Sequence, residues 1–189
     1  MPESKKWSRR LPKSFRPIHY DLTLNPDLDK LLFAGNVNIH LKVQEDASLI
    51  RLNSHELKIN EVKLFQNGKS MEIASYELLA DIEELHIRLP TPVSQGAELN
   101  LQISYEGELN TTLRGFYATK QSSGKFGAVC HFEATGARMA FPCWDEPEFR
   151  ATFKITLQMK EQENFAILSN MPEDNRKPIE KGKVLFFFC

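Results

Sequence analysis

The segment Cys130–Leu157, CHFEATGARMAFPCWDEPEFRATFKITL, sets the organisation of the chain. It reads as a strand, an irregular interruption and a second strand. The first strand is expected over Gly127–Glu133. Alternate side chains of a strand share a face, so His131 and Glu133 are expected to point one way, with Cys130 and Phe132 turned into a core. Pro142-Cys143-Trp144-Asp145-Glu146-Pro147 then breaks the pattern. Two prolines remove ladder donors and fix the backbone, which predicts a rigid loop. From Thr152 the period of two returns, with Phe153, Ile155, Leu157 and Met159 on one face and Lys154, Thr156, Gln158 and Lys160 on the other. A rigid, carboxylate-bearing connection between strands is a suitable place to hold a polar ligand group.

The same alternation recurs on either side. Ile18, Tyr20, Leu22 and Leu24 alternate with His19, Asp21 and Thr23. Val37, Ile39, Leu41 and Val43 alternate with Asn36, Asn38, His40 and Lys42, and Leu99, Leu101, Ile103 and Tyr105 repeat the pattern. Leu49–Leu52 and Leu57–Phe65 read as strands, and Asn67-Gly68 supplies the positive φ angles of a type I′ hairpin flanked by Leu64 and Ile73. Leu85, Ile87 and Leu89 form a strand ended by Pro90 and Pro92. Arg114-Gly115-Phe116-Tyr117 opens the connection into the key segment. Phe165–Leu168 and Val184–Cys189 read as strands, and Leu78–Glu84 as at most one helical turn. Many short strands with regular turn signals predict an all-β fold, an antiparallel multi-sheet saddle or sandwich. The expected organisation is a flexible basic arm over residues 1–15 and a single β-rich domain over 16–189. Leu185-Phe186-Phe187-Phe188-Cys189, apolar on both faces, is expected to be an exposed edge through which the isolated chain self-associates, or a strand covered by a further segment of a longer chain.

With 189 residues and 41% hydrophobic content, the chain can bury a proper core. A formal net charge of −1 argues against a nucleic-acid partner held by phosphate neutralisation. Three cysteines in no metal-ligand spacing give neither a disulfide framework nor a zinc knuckle. No secretory h-region and no apolar run of membrane-spanning length are seen, which predicts a soluble, cytoplasmic chain with no membrane span. The sequon Asn110-Thr111-Thr112 is read as fortuitous.

Catalytic signatures are missing. His55-Glu56 opens a His-Glu-x-x-His pattern, but Ile59 stands where the second histidine belongs. His19, His40 and His86 fall on polar strand faces and read as solvated. No nucleophile elbow, phosphate loop or dinucleotide fingerprint occurs. Asp145 and Glu146, beside Pro147, suit the first turn of a short helix. Glu133 is read either as a solvated strand residue or as an ion-pair partner of Arg138.

The run His131-Phe132-Glu133-Ala134-Thr135-Gly136-Ala137-Arg138-Met139-Ala140-Phe141-Pro142-Cys143-Trp144-Asp145-Glu146-Pro147 closely resembles the signature of the N-terminal domain of gluzincin aminopeptidases, a zinc-peptidase family. The likeness extends through Leu11-Pro12, Arg16–Leu22, Phe33-Ala34-Gly35, Gly115-Phe116-Tyr117, Ala151-Thr152-Phe153 and Ser169-Asn170-Met171-Pro172, in the family's order. The puromycin-sensitive branch is the nearest likeness. The resemblance implies a β saddle packed over a separate catalytic domain, whose zinc ligands, general base and Gly-x-Met-Glu-Asn segment lie downstream and have no counterpart here. This chain is therefore expected to hold no catalytic residue and no metal of its own, and to be inactive alone. Its implied role is substrate anchoring: Glu133 meets the α-ammonium of peptide N-termini, and His131, where glutamine is usual, lines the pocket for the first side chain. Gly136 stands where aspartate is common, and Ala118 where arginine is common. The alternative is a non-catalytic β-domain short isoform or fragment that binds peptides or interferes with the full-length enzyme.

Overall fold

A computed structural model describes residues 10–160, 166–179 and 182–188. Among the described residues thirteen strands follow one another: β1 (Phe15–Asp27), β2 (Leu32–Val43), β3 (Ala47–Asn53), β4 (Lys58–Gln66), β5 (Lys69–Met71), β6 (Ser75–Leu79), β7 (Glu84–Val93), β8 (Glu98–Glu108), β9 (Gly115–Lys120), β10 (Phe126–His131), β11 (Thr152–Lys160), β12 (Glu173–Pro178) and β13 (Lys183–Phe188). Single 3-10 turns lie at Ala80–Ile82 and Ala137–Met139.

The strands form three sheets. The largest has the order β12-β13-β11-β1-β2-β8-β4-β5, the second β3-β7-β6, and the third is the hairpin β9–β10. The pairings between these named strands are antiparallel except β1–β11, where His19 to Leu24 run in register with Thr152 to Leu157. The alternation of β1, β2 and β8 sends Leu22, Ile39 and Leu101 inward, where they meet Ile50, Leu52, Leu85 and Ile87 from the smaller sheet. Each such side chain contributes about 1.5–3 kcal/mol by leaving water. The fold is thus the expected all-β, multi-sheet arrangement, with one parallel pairing added.

The Asn67-Gly68 turn forms as its chemistry dictates. Both residues have positive φ (52° and 76°), and Gln66 pairs with Lys69 across a two-residue turn. Leu64 faces Met71 rather than Ile73, which lies beyond the short β5. β7 continues through Pro90 and Pro92 to Val93, because β3 resumes its pairing with Ala47 opposite Val93 after a register shift.

Several expectations require correction. β13 is not an edge: it lies between β11 and β12, and Val184, Phe186 and Phe188 pack with Met159 in a small second core. The edge at this end of the sheet is β12, whose Glu173-Asp174-Asn175-Arg176-Lys177-Pro178 carries the charges and proline that discourage further pairing. The premise for self-association through the last strand therefore falls, although Cys189 itself lies outside the described residues. Residues 166–168 form no strand, and Phe165 lies outside the described residues. Of the expected basic arm, residues 1–9 lie outside them too, while Leu11 and Phe15 are core residues.

The histidines divide. His19 and His40 sit on the outer face of the large sheet, 3.6 and 3.5 Å from the carboxylate of Asp21. His86 is fully buried rather than solvated. It lies 2.7 Å from Glu84, which also accepts two bonds from the Arg51 guanidinium at 2.8 and 2.9 Å. A polar strand face was buried here because its charges satisfy one another.

Candidate functional site

The site is built on the Pro142–Pro147 segment, which acts as a brace. Cys143 forms a two-way backbone bridge with Asn53 at the end of β3 (2.7 and 3.0 Å). The Asp145 N–H donates to Asn53 Oδ1 (3.1 Å), and the Trp144 N–H to the Tyr20 hydroxyl of β1 (3.2 Å). Glu146 Oε1 accepts the Leu11 N–H at 2.7 Å. One rigid loop thereby ties the large sheet, the three-stranded sheet and the residues before β1. No helix starts at Asp145 or Glu146; the Glu146 carboxylate takes the Leu11 N–H and the Asp145 carboxylate takes the Arg138 guanidinium instead. Burial raises the Tyr20 pKa well above its ordinary value, so the hydroxyl stays neutral. Its ring also stacks on Phe153, with centroids 4.6 Å apart. Tyr20→Phe retains the ring but leaves the Trp144 N–H without its acceptor. The expected loss is about 1 kcal/mol, or roughly 2–4 °C in Tm, read by thermal denaturation.

Arg138 links the brace to the site loop. Its Nε donates to Asp145 Oδ2 and its Nη1 to Glu83 Oε2, both at 2.9 Å, and its backbone carbonyl accepts the His55 N–H at 3.0 Å. Burial alone would lower the Arg138 pKa, but the bonds and charges of Asp145 and Glu83 outweigh it and raise it. Of the two readings of Glu133, solvated residue or ion-pair partner of Arg138, the ion pair does not form: Arg138 is taken by Asp145 and Glu83.

β10 ends at His131, two residues short of Glu133. The chain then turns: the Gly136 N–H bonds the Phe132 carbonyl at 2.8 Å, and the Glu133–Ala134 peptide is cis. The shared strand face expected for His131 and Glu133 therefore does not hold; the turn, not the pleat, sets the direction of Glu133. Cys130 is exposed rather than buried, and Phe132 is half-buried against Phe141, edge to face at 5.9 Å. Although Cys130 is exposed as a residue, desolvation around its sulfur pushes the thiol up to about 11. Burial pushes Cys143 well above its ordinary value, and both upward shifts disfavour the nucleophilic thiolate.

Both predicted site residues are exposed at one end of the β9–β10 hairpin. Among the described residues the Glu133 carboxylate has no hydrogen-bond or ion-pair partner. His131 Nδ1 faces the Leu113 carbonyl at 3.4 Å. Beside them lies the loop Asn110–Arg114, which sequence reading did not connect to the site. Asn110 Oδ1 accepts the N–H and hydroxyl of Thr112 (2.9 and 2.7 Å), and its Nδ2 donates to the Arg114 carbonyl (3.0 Å). The apparent sequon is thus an Asx turn that holds the loop. Arg114 Nη2 reaches Thr135 Oγ1 at 3.4 Å. The useful signal was the Asn-x-Thr pairing itself, a turn former directly before the β9 strand.

A zinc ion does not fit these residues. Among the described residues no group of three His, Cys, Asp or Glu, around His131 and Glu133 or elsewhere, is placed to hold a metal ion. What the arrangement offers is an unpaired anion on a well-braced loop, suited to a cationic group. Also among the described residues, no helix is long and apolar enough to cross a membrane.

Residues 16–189 match the family model of the Peptidase M1 N-terminal domain. The chain is 36% identical over 182 residues to puromycin-sensitive aminopeptidase of Caenorhabditis elegans, covering 92% of this chain and 19% of that protein. It is 36% identical over 186 residues to endoplasmic reticulum aminopeptidase 1 of Homo sapiens, covering 94% and 20% respectively. Against aminopeptidase M1 of Arabidopsis thaliana it is 37% identical over 174 residues, covering 88% and 20%. The chain thus spans about one fifth of the length of these relatives. The match over residues 16–189, with these relatives, makes the chain a member of the Peptidase M1 N-terminal domain family.

Proposed function

We propose that this domain anchors the free amino terminus of a peptide through Glu133, for hydrolysis at a centre carried by a partnering catalytic domain. The observation that carries this reading is the Glu133 carboxylate, exposed and unpaired on a loop that the brace holds firmly. An ammonium paired with a carboxylate gains a charge-assisted bond that an acetylated terminus cannot make. Such a site rejects internal peptide bonds, and trimming one residue at a time follows from that selection. His131, at the mouth of the same hairpin, faces the first side chain. The zinc chemistry named in the family belongs, in this reading, to the catalytic domain, and the domain described here orients substrate.

The test uses the chain itself, labelled with nitrogen-15 and titrated with Ala-Ala-NH2 and its N-acetyl form. The free amine is expected to shift the amides of residues 131–136, and acetylation to weaken binding about 10–100-fold, the worth of one charged hydrogen bond of roughly 1.5–3 kcal/mol. Glu133→Gln is expected to erase the difference between the two ligands. Equal binding of both forms to the wild-type chain would remove Glu133 from the ammonium site.

A further inference from the structure

We infer that Arg114 is a second charged anchor of this site, and that its preferred peptides carry a carboxylate close to the free amino terminus. The inference rests on the reading of Glu133 above and adds the class of substrate.

The loop that carries Arg114 is built rather than loose. The Leu109 N–H bonds the Leu31 carbonyl at 2.8 Å, and the Ala118 N–H bonds the Asn110 carbonyl at 2.8 Å, which fixes both ends. Between them the Asn110 side chain uses its oxygen twice and its nitrogen once on its own loop. Leu113 is held at a φ of 63° with 59% of its surface exposed. Its carbonyl faces His131, and the next residue reaches Thr135, two positions beyond Glu133. The Asn110–Arg114 loop and the Glu133 loop are therefore adjacent walls of one site.

The charges on those walls are unspent. Arg51, Arg88, Arg138 and Arg176 each pair with a carboxylate. Arg114, among the described residues, meets only a neutral hydroxyl at 3.4 Å, and Glu133 meets no cation. A guanidinium presents five donors in a planar fork that matches a carboxylate in bidentate fashion. Two opposite charges on adjacent loops, not collapsed onto each other, complement a ligand that brings an ammonium and a carboxylate in close succession. That carboxylate has two chemical sources: an acidic side chain in the first or second residue, or the C-terminus of a dipeptide.

The experiment titrates the labelled chain with Glu-Ala-NH2, Ala-Glu-NH2, unblocked Ala-Ala, and Ala-Ala-NH2, which lacks a carboxylate. The first two are expected to bind about tenfold tighter than the last, about 1.4 kcal/mol. A gain confined to unblocked Ala-Ala assigns the Arg114 site to the C-terminus of dipeptides. Arg114→Gln is expected to bring the acidic peptides to the level of Ala-Ala-NH2, and Arg114→Glu to reverse the preference toward Lys-Ala-NH2. The inference is overturned if the wild-type chain does not distinguish the carboxylate-bearing ligands from Ala-Ala-NH2, or if the distinction survives Arg114→Gln. Binding that is indifferent to acetylation and to Glu133→Gln overturns the Glu133 reading instead, so the two failures are separable.

Discussion

Replacing Arg138 with Met is expected to destabilise the domain by about 3 kcal/mol, lowering Tm by roughly 6–12 °C. The Arg138 and Asp145 side chains are each only 11% exposed. Removing the guanidinium leaves the Asp145 carboxylate buried with its own charge uncompensated, and that penalty dominates over the loss of the bond itself. Glu83 is 37% exposed, so water takes over its solvation and its share is smaller. Methionine retains much of the aliphatic stem, so packing changes little. The double variant Arg138→Met/Asp145→Leu separates the two effects. It is expected to recover more than half of the loss, because no buried unpaired carboxylate remains and Glu83 is open to water. If the single and double variants melt together, the pair is not the source of the stability.

The consequence for the site is positional. Arg138 lies two residues beyond Gly136 and joins the Glu133 loop to Glu83, in the β6–β7 connection, and to Asp145 in the brace. With the guanidinium gone, the loop keeps its own turn but loses its tie to two other parts of the fold. Free-amine peptide binding is therefore expected to weaken in Arg138→Met even at temperatures where the sheets persist.

Much of this fold can be read from local chemistry. Period-two alternation places β1, β2 and β8 with the correct faces inward, and Asn67-Gly68 fixes its hairpin through two positive φ angles. The proline-bracketed segment announces its rigidity. What escaped reading depends on partners distant in sequence. The parallel pairing of β1 with β11 joins His19 to Thr152, and nothing within either strand specifies the other. β12 shows no apolar alternation because it is a charged edge whose pairing comes from β13 alone. His86 reads as surface because its pattern is polar; only the meeting of Arg51 and Glu84 from two strands makes its burial tolerable. The candidate site is legible as to residues but not as to geometry. Glu133 and His131 are prominent in the sequence, yet the pleat argument fails where the chain leaves β10 after His131. Arg114 and the Asn110 loop come beside them only through the β9–β10 hairpin, which pairs Gly115 with His131.

Placing a side chain at position 136 is expected to be as damaging to the site as it is to the fold. A Cβ built on Gly136 falls 2.5 Å from the His131 carbonyl oxygen, and 3.1 Å from both the Gly115 nitrogen and the Phe132 Cα. All three are backbone atoms, so no rotamer change relieves the contact. Gly115 opposite is equally confined: its φ is +67°, and a Cβ there would lie 2.6 Å from Met139 Cβ. The two glycines let the start of β9 approach the Glu133 turn at a distance that side chains forbid. Gly136→Ala is therefore expected to cost about 3 kcal/mol, the upper end of overpacking losses, because the strain is met by backbone movement. Gly136→Asp introduces the residue that the family resemblance makes common here, and it must displace the same turn. In both variants Glu133 moves with the loop. Free-amine peptide binding is expected to fall at least tenfold well below the melting temperature, while the β2–β8 amides of the large sheet keep their wild-type resonances. A Gly136→Asp chain with wild-type Tm and undiminished preference for free over acetylated peptide would mean that the turn tolerates a side chain, and that the close approach of residues 115, 131 and 136 does not set the direction of Glu133.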